Sequence, residues 1–222
     1  MFNALRRLFF TKFEFGFLKV MSYFCTDKEN DNNMHKEIVR KIVLLLAKPE
    51  VAWGDFLKEG NPKQQVLNRF CYPLMAVAAV VLLLQEAIFH RHPAFPIHVL
   101  IVHSLVYFVS LLSSFYIVQY ALNVLMQKRY NLTPTKEQSI IVVGYSFTLV
   151  YLLYIVTAIA PSFFFLWVFY FYTTYLLWIA AEEVFDLKVE ERGFFVIGMT
   201  FFVVLTPVII LGVLRALMPN LQ

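Results

Sequence analysis

Along this chain, mixed segments rich in charge alternate with long runs that hold no Asp, Glu, Lys or Arg. The charge-free runs cover Phe70 to Gln85, Pro93 to Gln127, Gln138 to Ala181 and Gly193 to Leu214. An ionised side chain at the bilayer centre costs about 2.5 to 3.5 kcal/mol on insertion scales, so the runs predict membrane crossings and the charges mark their ends. About 20 helical residues cross the hydrocarbon core. The first run, prolonged by apolar residues to Phe89, predicts a span over 70–89, and the second predicts one over 97–124. As one helix, the third run would overshoot a core of about 30 Å roughly twofold. It must turn back, and Ala160-Pro161-Ser162 is the punctuation that allows it, giving spans over 139–160 and 162–181. A last span is expected over 194–216, kinked at Pro207, where neighbouring helices can satisfy the freed carbonyl. The predicted fold class is all-α: a polytopic membrane protein with five transmembrane helices, preceded by short amphipathic helices.

Charge then orients the spans. Twelve of the nineteen Lys and Arg precede Cys71, Lys128, Arg129 and Lys136 lie between the second and third spans, and Lys188 and Arg192 lie between the fourth and fifth. Only Arg91 and Arg215 fall on the other side. Positive excess marks cytoplasmic segments, so the expected arrangement is N-terminus in the cytoplasm and C-terminus outside. Ahead of the spans, Phe2, Leu5, Phe9, Phe13 and Phe17 recur at steps of three and four among Arg6, Arg7, Lys12 and Lys19. That spacing predicts a basic amphipathic helix over 1–24 lying in the membrane interface. A signal peptide is the competing reading, but basic residues interrupt each apolar core and no small-x-small cleavage site follows. Residues 25–68 read as a polar linker and two short helices, one over 34–47 and one opened by Pro49 at its first position. In the second, Val51, Ala52, Phe56 and Leu57 are the apolar set and Glu50, Asp55 and Lys58 the water-facing one. The membrane domain is expected over 69–218.

Composition closes off other classes. Of 222 residues, 60% are hydrophobic and only 15% charged, where a soluble domain carries about 25% charged. Soluble, disordered and disulfide-built readings fall away, and a net charge of +4 on such a chain does not make a nucleic-acid binder. Cys25 and Cys71 build no framework and match no metal spacing. No zinc-protease, nucleophile-elbow, phosphate-loop or paired-cysteine motif occurs. The expectation is no catalytic residue, no cofactor and no enzyme.

Three groups remain as candidate chemistry. Glu86 is the carboxylate within an apolar stretch, with His90 one helical turn on. It reads either as a boundary residue near the outer end of the first span or as an ion-handling group. His90, His92, His98 and His103 cluster around the outer loop; with no acidic or thiol partner beyond Glu86 at helical spacing to complete a ligand set, a structural cluster outweighs a metal site or a pH switch. Tyr170, Tyr172 and Tyr175, in an aromatic run ending at Trp178, read as packing residues or as the lining of a lipid groove. At the cytoplasmic side, the acidic run Glu182, Glu183, Asp186, Glu190 and Glu191 faces the basic amino-terminal segment in charge. It is either solvated or a partner surface.

The segment LLLAKPEVAWGDFLKEGNPKQQVLNRFCYPLMAVAAVVLLL, with its proline, Ala-Trp pair, Arg-Phe and Tyr-Pro, resembles the bacterial Yip1-domain membrane proteins. Gly144-Tyr145, the run WVFYFYTTYLLW and VEERGF resemble the versions in Bacteroides-like bacteria, and the similarity covers about residues 39–217. The resemblance implies the fold and topology of that family, an inner (cytoplasmic) membrane location and a lean towards a membrane adaptor. Eukaryotic relatives bind Rab GTPases and carry an Asp-Leu-Tyr-Gly-Pro motif that this chain lacks, so that role is not carried over. Two functions follow from the reading. One is a non-catalytic adaptor or organiser binding a protein partner or lipid at the cytoplasmic face. The other is a small permease or lipid-handling protein using Glu86 and the outer histidines. Membrane lipids, another membrane protein or a second copy are the expected partners.

Overall fold

A computed structural model of the chain describes residues 32–58, 63–89 and 97–217, and among these every regular element is helical. The basic helix expected over 1–24 lies outside the described residues. The chain divides between Leu44 and Leu45. Helix α1, Asn32–Ala47, begins ahead of that division and carries a Glu37–Lys41 ion pair of 3.3 Å one turn apart.

Beyond the division, α2 covers Pro49–Lys58, with Pro49 at the first position, Glu50 in the first turn and Lys58 in the last. Each suits the end of the helix dipole it occupies. Pro49, Ala52, Trp53 and Phe56 are buried, whereas Val51 and Leu57 are exposed, so the helix splits its apolar set between two faces. Next comes a π-helical segment, Lys63–Cys71, running directly into α3, Tyr72–Phe89. Pro73 explains the wide turns: it offers no N–H, and its ring crowds the carbonyl four residues back, so the backbone ahead of it loosens instead of breaking.

Helix α4, Ile97–Tyr130, has 34 residues, about 51 Å at 1.5 Å per residue. It runs past the expected end at residue 124 and places Lys128 and Arg129 in its last turn. A capping box then opens α5, Lys136–Ser146: the Gln138 amide donates to Thr135 Oγ1 (3.2 Å) and the Thr135 amide donates to Gln138 Oε1 (2.9 Å). Helix α6, Thr148–Ile159, continues α5 after a turn at Phe147. The ladder persists through it, with the Phe147 amide on Val143 O (3.1 Å) and the Tyr151 amide on Phe147 O (3.0 Å).

Ala160 leaves helical space (φ −135°, ψ 83°), and Pro161–Phe169 forms a 3-10 helix that leads into α7, Tyr170–Glu183. The fourth expected span is therefore not one α-helix. Bulky aromatics lose side-chain freedom against the preceding α-turn, and here packing decides. Trp167 meets Tyr154 edge-on at 5.8 Å and stacks on Tyr170 at 4.8 Å. Helix α8, Val189–Leu217, runs through Pro207. The buried Pro207 carbonyl accepts from Ser110 Oγ (3.0 Å), and Ser114 Oγ donates to Ser110 O (2.5 Å). Such an interhelical bond contributes about 0.6 kcal/mol in a membrane. Helix α4 packs along α8 and α3, α3 packs on α6, and α7 packs on α8 and α2. By length and composition, four stretches among the described residues can cross a membrane: Val66–Gln85, Val99–Tyr130, Lys136–Ile159 and Val189–Leu217.

Candidate functional site

Two helix exits at one end of the bundle are built alike. Helix α4 ends in Tyr130-Asn131-Leu132 and α7 is followed by Phe185-Asp186-Leu187. Asn131 (φ 53°) and Asp186 (φ 50°) take the left-handed conformation, which short polar side chains tolerate best after glycine. In each case the next amide turns back into the helix: Leu132 N–H donates to Met126 O (3.1 Å) and Leu187 N–H to Ala181 O (3.0 Å).

The two exits are also tied together. Tyr130 OH donates to Glu191 O (3.1 Å), and Gln138 Nε2 donates to Val184 O (3.4 Å). The Arg129 guanidinium sits 5.3 Å from the centre of the Phe194 ring, and Phe195 meets both Phe185 (5.7 Å) and Tyr130 (6.4 Å) edge-on. Arg192 closes the turn, donating from Nε to Leu187 O (2.8 Å) and pairing through Nη1 with Glu182 (2.5 Å). An ion pair with one partner half exposed contributes little stability; its effect is to fix the turn's shape. Of the acidic run, Glu182 is thus paired, while Glu183, Asp186, Glu190 and Glu191 have exposed side chains on a constrained turn. Arg6, Arg7, Lys12 and Lys19, the other half of the expected partner surface, lie outside the described residues.

A second cluster joins α2 to the bundle. Tyr145 of α5 stacks on Phe56 (3.7 Å), meets Trp53 edge-on (6.2 Å) and lies 4.9 Å from Phe70; all four are buried. Beside it, a Cβ on Gly144 would stand 2.5 Å from Val66 Cγ1 and 3.1 Å from Cys71 Sγ. Trp53, Phe70 and Tyr145, the aromatic members of the Ala-Trp, Arg-Phe and Gly-Tyr pairs of the sequence reading, are therefore parts of one nest. The signal for it was Ala52, Trp53 and Phe56 on one side of a short helix, together with a glycine beside a tyrosine inside an apolar run. Trp53 Nε1, Ser146 Oγ, Thr148 Oγ1, Tyr151 OH, Tyr170 OH and Thr173 Oγ1 are buried without a hydrogen-bond partner among the described residues.

The other candidates are dispersed. Glu86 lies in the last turn of α3, and His90 and His92 lie outside the described residues. His98 is in the first turn of α4, with His103 five residues on. No group of three His, Cys, Asp or Glu suited to a metal occurs among the described residues. Tyr170 belongs to the Trp167–Tyr154 packing and is buried. Tyr172 instead donates to Leu46 O (2.7 Å), its ring 5.4 Å from that of the exposed Tyr175. Near the far end of α8, Arg215 donates to Tyr107 OH.

Among curated proteins and among solved structures, nothing matches the chain. The Yip1 domain matches residues 43–220, from within α1 to beyond the end of α8, and so takes in both clusters. With most of its length covered by that domain, and with helices long and apolar enough for a bilayer, this chain belongs to the Yip1-domain family of membrane proteins.

Proposed function

We propose that the protein is a non-catalytic adaptor of the cytoplasmic membrane, crossing it five times with its amino-terminal side in the cytoplasm and its carboxyl-terminal side outside, and presenting the acidic turn after α7 to a basic protein partner. The family is in general non-enzymatic. The observation that carries the reading is the constrained turn itself. Arg192, Tyr130 and Gln138 hold its backbone, and the carboxylates of Glu183, Asp186 and Glu190 stay exposed. A preorganised cluster of one charge sign favours association with the opposite sign, because little side-chain and loop ordering is left to be lost on binding. The segment resemblances support a Bacteroides-like member of the family and an inner-membrane location, and the charge asymmetry supports the orientation.

Extraction of the full chain in native lipid particles, followed by mass spectrometry, tests this. A basic protein is expected at near-stoichiometric amount, reduced about tenfold or more by the paired change Glu183→Lys and Glu190→Lys. Recovery of lipid alone, or of a partner indifferent to those charges, would overturn the adaptor reading.

A further inference from the structure

Helix α1 exposes an apolar stripe that its length does not explain. Val39, Val43 and Leu46 are 44%, 57% and 36% exposed, and their spacing of four and three puts them on one face. The helix has 16 residues, too few to cross a bilayer. Lys36 and Arg40 are exposed beside the stripe. Glu37, the helix's one acid, is turned to Lys41 in the intrahelical pair. An apolar stripe edged by cations and free of acid fits one surface in particular, the boundary between acyl chains and anionic headgroups. The helix ends nineteen residues before Val66, where the first membrane-capable stretch begins.

We infer that α1 lies along an anionic membrane leaflet, with Val39, Val43 and Leu46 in the acyl-chain boundary and Lys36 and Arg40 at the phosphates. This contact is separate from the acidic turn after α7 and stands whether or not that turn has a protein partner.

A nitroxide at Val43→Cys, in the full chain carrying Cys25→Ser and retaining the buried Cys71, reports the helix's depth. The protein is reconstituted in vesicles of equal parts phosphatidylglycerol and phosphatidylcholine. Oxygen collisions are expected to exceed those with a water-soluble nickel complex, and the ratio to fall severalfold in phosphatidylcholine alone. The pair Lys36→Gln and Arg40→Gln is expected to lower it likewise. Nickel dominance in the anionic vesicles would overturn the inference. Exclusion of both reagents would do so too, placing protein over the stripe, and an oxygen dominance undiminished in phosphatidylcholine would remove the role of anionic lipid.

Discussion

At the scale of single residues, the sharpest constraint is at Gly144. A methyl group there would overlap Val66 Cγ1 at 2.5 Å and press on Cys71 Sγ at 3.1 Å. Both neighbours belong to the π-helical segment Lys63–Cys71, so relief means moving an element. Overpacking of this kind costs about 1 to 3 kcal/mol. Gly144→Ala is therefore expected to lower the unfolding midpoint of the protein in lipid particles. Gly54→Ala, whose added Cβ meets nothing within 4 Å, is expected to hold or raise it by the helix-propensity difference, about 0.5 to 1 kcal/mol. Equal loss from both would mean that the close approach at Gly144 is not what selects glycine. Gly144-Tyr145 was visible in the sequence as a pair, yet its reason was not, because the atoms that crowd it come from a segment more than seventy positions earlier. The likeness of Asn131 and Asp186 was not legible either, because it needs the backbone angles.

At the scale of elements, charge-free runs and punctuation located the helices well, because desolvation of charge and of backbone acts locally. What they missed was how each helix is shaped by its neighbours. The fourth expected span became a 3-10 helix and a short α-helix because Trp167 and Tyr170 pack as a pair against Tyr154. Helix α2 was legible as amphipathic, but Trp53 was not in its expected apolar face. The structure makes it the centre of the docking of α2 on Tyr145. Trp53 also buries an indole N–H without a partner among the described residues, a debit of about 1 to 3 kcal/mol against its packing. The two effects predict different outcomes for two substitutions. Trp53→Phe keeps much of the ring volume and removes the orphan donor, so stability should stay within about 1.5 kcal/mol of the native protein. Trp53→Ala leaves a cavity and should cost about 3 to 5 kcal/mol, with faster proteolysis between α2 and α3 as the accompanying sign. If Trp53→Phe were as damaging as Trp53→Ala, an indole hydrogen bond to a lipid or partner would be the better account.

At the scale of the molecule, the number of crossings turns on the path from Ala160 to Val184. The stretch Lys136–Ile159 has 24 residues, about 36 Å of helix, so Ala160 stands at the opposite end of the bundle from Gln138. Val184 is back at Gln138, 3.4 Å from its side-chain nitrogen. Residues 161–183 must cover that distance in return. The 3-10 portion, rising about 2.0 Å per residue, and the α portion, rising about 1.5 Å, together reach roughly 39 Å. A segment that fails as a single long α-helix is thus long enough to cross, and its greater rise in the 3-10 part helps it to do so. The positive charges agree, since Lys128, Arg129, Lys136, Lys188 and Arg192 all belong to the two exits at one end. A membrane-impermeant thiol reagent applied to sealed, oriented vesicles separates the alternatives. Single cysteines replacing the exposed Thr133 and Lys188 should label from one face of the membrane, and one replacing the exposed Ser162 only from the other. Labelling of all three from the same face would leave Pro161–Glu183 outside the count of crossings and return the chain to four.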